Sequence, residues 1–109
     1  MKTKITIIGL AALILSGCGT DSGVVPMGQN AYMISKTEWG FMGPVPIKGD
    51  AIREAQDYCK EHDKALMVTK TIEINIKFGS EPGAEVYFEA LDTNDPALKQ
   101  PVKIEDIVR

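Results

Sequence analysis

Leu66-Met67-Val68-Thr69-Lys70-Thr71-Ile72-Glu73-Ile74-Asn75-Ile76-Lys77-Phe78 is the stretch on which the fold turns. Leu66, Val68, Ile72, Ile74, Ile76 and Phe78 share one parity, and Met67, Thr69, Thr71, Glu73, Asn75 and Lys77 share the other; Lys70 breaks the alternation. Successive side chains of a strand point to opposite faces, so the pattern predicts a strand with one buried face. Gly79-Ser80-Glu81-Pro82-Gly83 reads as a turn, after which Ala84, Val86, Phe88 and Ala90 alternate with Glu85, Tyr87 and Glu89. The two runs predict a hairpin with one apolar face.

An apolar sheet face needs a cover, and the chain upstream supplies one. Ile52, Ala55, Tyr58 and Cys59 fall on one helical stripe, Arg53, Glu54, Asp57, Lys60 and Glu61 take the other face, and Asp50 is a fair N-cap. The spacing predicts an amphipathic helix from Asp50 to about His62, too short to persist unless it packs on something. Before it, Gly40, Gly43, Pro44, Pro46 and Gly49 make Glu38 to Gly49 an irregular loop, and Ala31 to Thr37 reads as a first strand. The expected fold is α+β, a small two-layer sandwich in the order strand, helix, strand, strand, with one helix on a three-stranded, mostly antiparallel sheet.

The N-terminus speaks about location. Lys2 and Lys4 precede an uncharged apolar run from Ile5 to Leu15, which ends at Ser16-Gly17-Cys18. A basic start, a short apolar core and small residues at the cut are the layout of an export signal, and the run is about half the roughly 20 residues a spanning helix requires. Leu15-Ser16-Gly17-Cys18 resembles a bacterial lipobox. The resemblance implies cleavage between Gly17 and Cys18, a diacylglycerol thioether on Cys18 and acylation of the new amine. Two or more acyl chains hold a protein to a bilayer for practical purposes permanently, so Cys18 is expected to be a membrane anchor. Gly19 rather than Asp follows the cysteine, which by resemblance favours the outer membrane, facing the periplasm.

The expected organisation is a signal peptide at 1–17, a lipidated tether at 18–29 that lets the body stand clear of the bilayer, a domain at 30–92, and a polar tail at 93–109 that is either a short edge strand or disordered. Twelve Lys and Arg stand against fifteen Asp and Glu; losing Lys2 and Lys4 with the signal leaves a net charge near −5. Such a balance speaks against nucleic acid as a partner and against electrostatic docking on anionic lipid. The expected partners are the membrane, through the lipid, and an envelope protein.

No catalytic signature stands out, and no cofactor or metal is expected. Cys59 and His62 lie one helical turn apart, and a thiolate activated by imidazole would be a nucleophile, so a thiol-based enzyme or redox-sensing domain is the alternative function. The blander reading makes Cys59 a small apolar residue of the helix stripe. Asp92-Thr93-Asn94-Asp95 begins like a calcium loop but lacks the Gly and the distant Glu, which leaves a capped turn. The stretch that resists a bland reading holds Trp39, Phe41, Met42, Val45 and Ile47. It is the candidate contact surface for a partner, a ligand or a membrane, unless it folds back to cover the small sheet.

Val-Val-Pro-Met-Gly at 24–28, Ala-Tyr-Met-Ile-Ser-Lys-Thr-Glu-Trp-Gly at 31–40, Glu-Ala-Gln-Asp-Tyr-Cys at 54–59 and Leu-Asp-Thr-Asn-Asp-Pro at 91–96 together resemble a family of small uncharacterised proteobacterial lipoproteins. The likeness runs from Val24 to Pro96 and implies an envelope lipoprotein without implying a mechanism. In that family a second cysteine is common at the position Ala90 occupies. The resemblance implies that Cys59 points toward Ala90 as the relic of a disulfide pair.

Overall fold

The computed structural model describes residues 20–38, 43–75 and 81–109. Its elements are β1 (Thr20–Asp21), β2 (Val25–Gly28), β3 (Ala31–Thr37), α1 (Pro44–Glu61), β4 (Ala65–Ile74), β5 (Gly83–Leu91), a 3-10 turn (Pro96–Lys99) and β6 (Glu105–Val108). The fold is α+β in two layers, with α1 lying on one face of a mixed sheet. Among the described residues the sheet has six strands rather than the expected three, in the order β1-β3-β5-β4-β6, with β2 also pairing on β3.

The three expected strands form the centre. β5 runs antiparallel to β3 from Ala31↔Glu89 to Thr37↔Gly83, and antiparallel to β4 from Ala65↔Leu91 to Ile74↔Gly83. The backbones close in tightly at Gly83, where a Cβ would lie 2.8 Å from the Lys36 carbonyl oxygen. The core is Ile34, Val86, Phe88 and Ala90 from the sheet against Ala51, Ala55 and Cys59 from the helix. Small residues along the contact line of α1 let the helix settle closely on the strands.

One apolar parity does not persist through β4. Its pairing shifts between Val68↔Phe88 and Lys70↔Tyr87, which leaves Thr69 as an extra residue whose hydroxyl bonds the Tyr87 carbonyl at 3.2 Å. A bulge of this kind moves every later side chain to the opposite face. Leu66 and Val68 therefore pack toward the helix, whereas Thr71 and Glu73 replace Ile72 and Ile74 on that side. Glu73 accordingly ion-pairs with Lys48 of α1, and Lys70 sits on the far face over the Tyr87 ring, 4.6 Å from its centroid. Ile76 and Phe78, the expected end of this strand, lie outside the described residues.

The helix starts earlier than Asp50. Pro44 stands at its first position, where the missing N–H has no intrahelical acceptor to lose, and Pro46 still lies in the first turn. These prolines open a helix rather than forbid one. The residue before the helix is Gly43, at φ 79°, a conformation costly for a residue with a Cβ, and Asp50 lies inside the helix, paired with Arg53. At the other end Asp63 takes a left-handed φ of 56°, with Asp63 N–H on the Lys60 carbonyl and Lys64 N–H on that of Cys59. That is a Schellman ending.

Both flanks of the expected 30–92 domain are also built into the sheet. Within the stretch expected as a tether, the described residues from Thr20 onward are built into the sheet: β1 and β2 form one interrupted edge strand along β3, and Val24 between them packs against the core. Ser22 bridges the interruption, its N–H on the Ser35 carbonyl at 2.9 Å and its hydroxyl accepting from Ser35 N–H at 2.9 Å. Pro26 is tolerated because an edge strand needs fewer ladder donors. The tail read at 93–109 holds β6, parallel to β4 from Lys70↔Glu105 to Glu73↔Val108, where the buried Thr71 hydroxyl bonds Asp106. Asp95 caps the 3-10 turn by accepting from Ala97 N–H at 2.8 Å.

Candidate functional site

Strand directions place several separate features at one end of the sheet. β1 begins opposite the last residue of β3 (Thr20↔Thr37), β5 begins there (Thr37↔Gly83), β4 ends there (Ile74↔Gly83), and β6 ends beside it (Glu73↔Val108). The Lys48–Glu73 ion pair brings the first turns of α1 to the same end. Thr20, the residue two positions after Cys18, thus shares an end of the molecule with Val45 and Val108, each 62% exposed. From β1 to β6 this rim spans four strand spacings, roughly 19 Å at about 4.8 Å each.

The expected contact surface is divided by this arrangement. Val45 is exposed on the outer side of the helix start, but Ile47 is 3% exposed and belongs to the core, because the prolines wind the chain into helix and turn Ile47 inward. Trp39, Phe41 and Met42 lie outside the described residues, as does Cys18. Val108 was not foreseen. The short edge strand expected as one reading of the 93–109 tail is present, and it runs from Glu105 to Val108.

A charged cluster fastens β1 to this end. The Lys36 ammonium lies 3.1 Å from Asp21 and 3.2 Å from Glu54, joining β1, β3 and α1 through one cation. Burial works against the charged Lys36, yet the two carboxylates outweigh it and raise its pKa. Burial also pushes Asp21 up, but the Gly23 N–H and Lys36 prevail and hold its carboxyl below the ordinary 3.8. Glu54 goes the other way, raised above 4.5 by burial and by Asp21 beside it, with Lys36 only partly opposing.

These directions predict opposite pH responses. A lowered carboxylate stabilises the fold above its ordinary value and loses that contribution as pH falls through its folded value; a raised one disfavours the fold while ionised and relieves it as pH falls. Asp21→Asn should therefore lower the melting temperature at pH 7, whereas Glu54→Gln should leave it unchanged or raise it slightly. With the Asp21 side chain 43% exposed, solvent screening limits its loss to about 1 kcal/mol or less. Thermal melts from pH 7 downward check this, and the deficit of the Asp21 variant against wild type should close only once the pH falls below the lowered, folded value of Asp21.

Cys59 and His62 do not assemble into a nucleophilic pair. Cys59 is 2% exposed in the core, and burial pushes its thiol pKa up, which disfavours the reactive thiolate. His62 turns away, its Nδ1 2.8 Å from the Tyr58 carbonyl and its ring stacked on Tyr58 at 4.1 Å between centroids. A cleft of about 330 Å3 between the helix and the start of β4 is lined by Gln56, Asp57, Cys59, Lys60, Lys64 and Leu66. Among the described residues there is no group of three or more His, Cys, Asp or Glu placed to hold a metal ion, and no helix long and apolar enough to cross a membrane. Asp92 to Asp95 forms a turn, with Asp95 N–H on the Asp92 carbonyl at 2.9 Å, and Asp92 accepts from Lys64 at 2.8 Å. Comparison with protein-family models, with curated proteins and with solved structures finds no match to this chain.

Proposed function

We propose that this chain is a lipid-anchored lipoprotein of the cell envelope, exported by its first 17 residues, held by acyl chains on Cys18 at the outer membrane facing the periplasm, and acting by contact with an envelope protein rather than by catalysis. The observation that carries the reading is Leu15-Ser16-Gly17-Cys18 directly after an apolar export core. The likeness of four segments between Val24 and Pro96 to small proteobacterial lipoproteins supports it. Burial of Cys59, with His62 committed to Tyr58, weighs against the thiol-based alternative.

Mass spectrometry of the N-terminal peptide from envelope membranes tests the anchor. The expected peptide starts at Cys18 and carries the diacylglyceryl and acyl masses, and Cys18→Ala should abolish both the processing and the modification. A mature chain with a free thiol at Cys18 would sink the proposal. Native thiol labelling tests the non-catalytic part: Cys59 should resist modification until the fold is opened. Cross-linking on intact envelopes identifies the partner.

A further inference from the structure

A lipid on Cys18 would ordinarily be expected to hold its domain on a leash. Thr20 is already part of the hydrogen-bonded sheet, and in the sequence Gly19 alone separates it from Cys18. Two Cα steps of 3.8 Å give a reach of at most about 7.6 Å. The polar layer on each side of a bilayer is roughly 5–8 Å deep, half the difference between a hydrocarbon core of about 30 Å and a total of about 40–45 Å. A cysteine whose acyl chains lie in the hydrocarbon therefore sets Thr20 within the headgroup layer or at its surface.

Several contacts keep this short connection from lengthening. Thr20 and Asp21 are in register with Thr37 and Lys36, Asp21 is paired to Lys36, and Ser22 makes two hydrogen bonds to Ser35. The same end of the sheet presents Val45 and Val108, two of the exposed large apolar side chains of the fold, on a rim about four strand spacings wide. Apolar side chains at the edge of a headgroup layer gain by leaving water.

We propose that the Thr20 end of the sheet is a membrane-docking face: the domain stands on its own bilayer on this end, with Val45 and Val108 meeting the headgroup layer and the opposite end, which carries Asn30, His62 and Asp92 to Asp95, pointing away. This rests on Cys18 being lipidated, and it replaces the leash by a fixed stance. It also assigns the bilayer, not a protein, as what Val45 contacts.

The test uses full-length lipidated protein in phosphatidylethanolamine–phosphatidylglycerol vesicles that contain a headgroup spin-labelled lipid. A fluorophore is attached at Val45→Cys or at Asn94→Cys, each in a Cys59→Ala background. Quenching at position 45 should exceed that at 94 by at least about fivefold, and twelve Gly/Ser residues inserted between Gly19 and Thr20 should bring the two together. Equal quenching without the insertion, in protein whose N-terminal peptide carries the lipid mass, overturns the docking face and leaves the lipoprotein reading standing. Undiminished quenching at 45 after the insertion also overturns the short-anchor argument. Absence of the lipid mass overturns both.

Discussion

Ala90→Cys should form a disulfide with Cys59 and raise the melting temperature of the oxidised protein by roughly 12–30 °C over its reduced form. Cys59 and Ala90 are buried in the same core cluster, where the last turns of α1 cross the end of β5 and Leu66 of β4 pairs with Ala90. A bridge across about thirty residues removes unfolded-chain entropy worth about 3 to 4 kcal/mol. For a domain of this size each kcal/mol corresponds to about 4–8 °C. Because both positions are buried, the gain should appear without a change in the surface the protein presents. The measurement is a pair of thermal melts with and without reductant, alongside a free-thiol assay. Two persistent free thiols under oxidising conditions would show that the Cβ atoms do not face one another.

The second large effect runs the other way. Phe88 is 1% exposed, stacked on Tyr32 at 5.5 Å and edge-on to Tyr58 at 6.3 Å, and it faces Val68 across the β4–β5 pairing. Truncating a buried phenylalanine to alanine costs about 3–5 kcal/mol, from lost burial and from the cavity left behind. A fold of about 90 residues has roughly 5–13 kcal/mol in total. Phe88→Ala should therefore lower the melting temperature by at least about 12 °C, whereas Phe88→Leu, which refills much of the volume, should recover most of the loss. Circular dichroism melts decide it, and a shift of only a few degrees for the alanine variant would mean that the aromatic cluster is not the centre of the core.

Local periodicity made the central strands and the helix legible. Ala31 to Thr37 coincides with β3, and the alternation of Ala84 to Ala90 lies within β5. Each pattern is set by the two-residue repeat of a strand against one buried face, which the order of residues alone can express. Lys70 was the sign that the apolar parity of β4 would break. A charged residue on an apolar parity is most simply accommodated by a bulge, and Thr69 supplies the extra residue. Pro44 and Pro46 were misread because a proline excludes helix interiors but suits a first turn, and its position becomes known only once the helix start is known.

The sequence by itself determined the apolar faces of β3 and β5 and the helical stripe that covers them. Those are properties of neighbouring residues and of short repeats. Only the tertiary structure decided that Gly-Ser-Pro-rich residues 20–28 are an edge strand and that Glu105–Val108 closes the other edge. It also decided that Ile47 is core, and that Val45 and Val108 share an end of the molecule with Thr20. The physical reason is that edge strands receive their register and hydrogen bonds from a neighbour distant in the chain. Polar, glycine-bearing segments with little periodicity of their own become ordered when Lys36, Ser35 and Thr71 offer them partners.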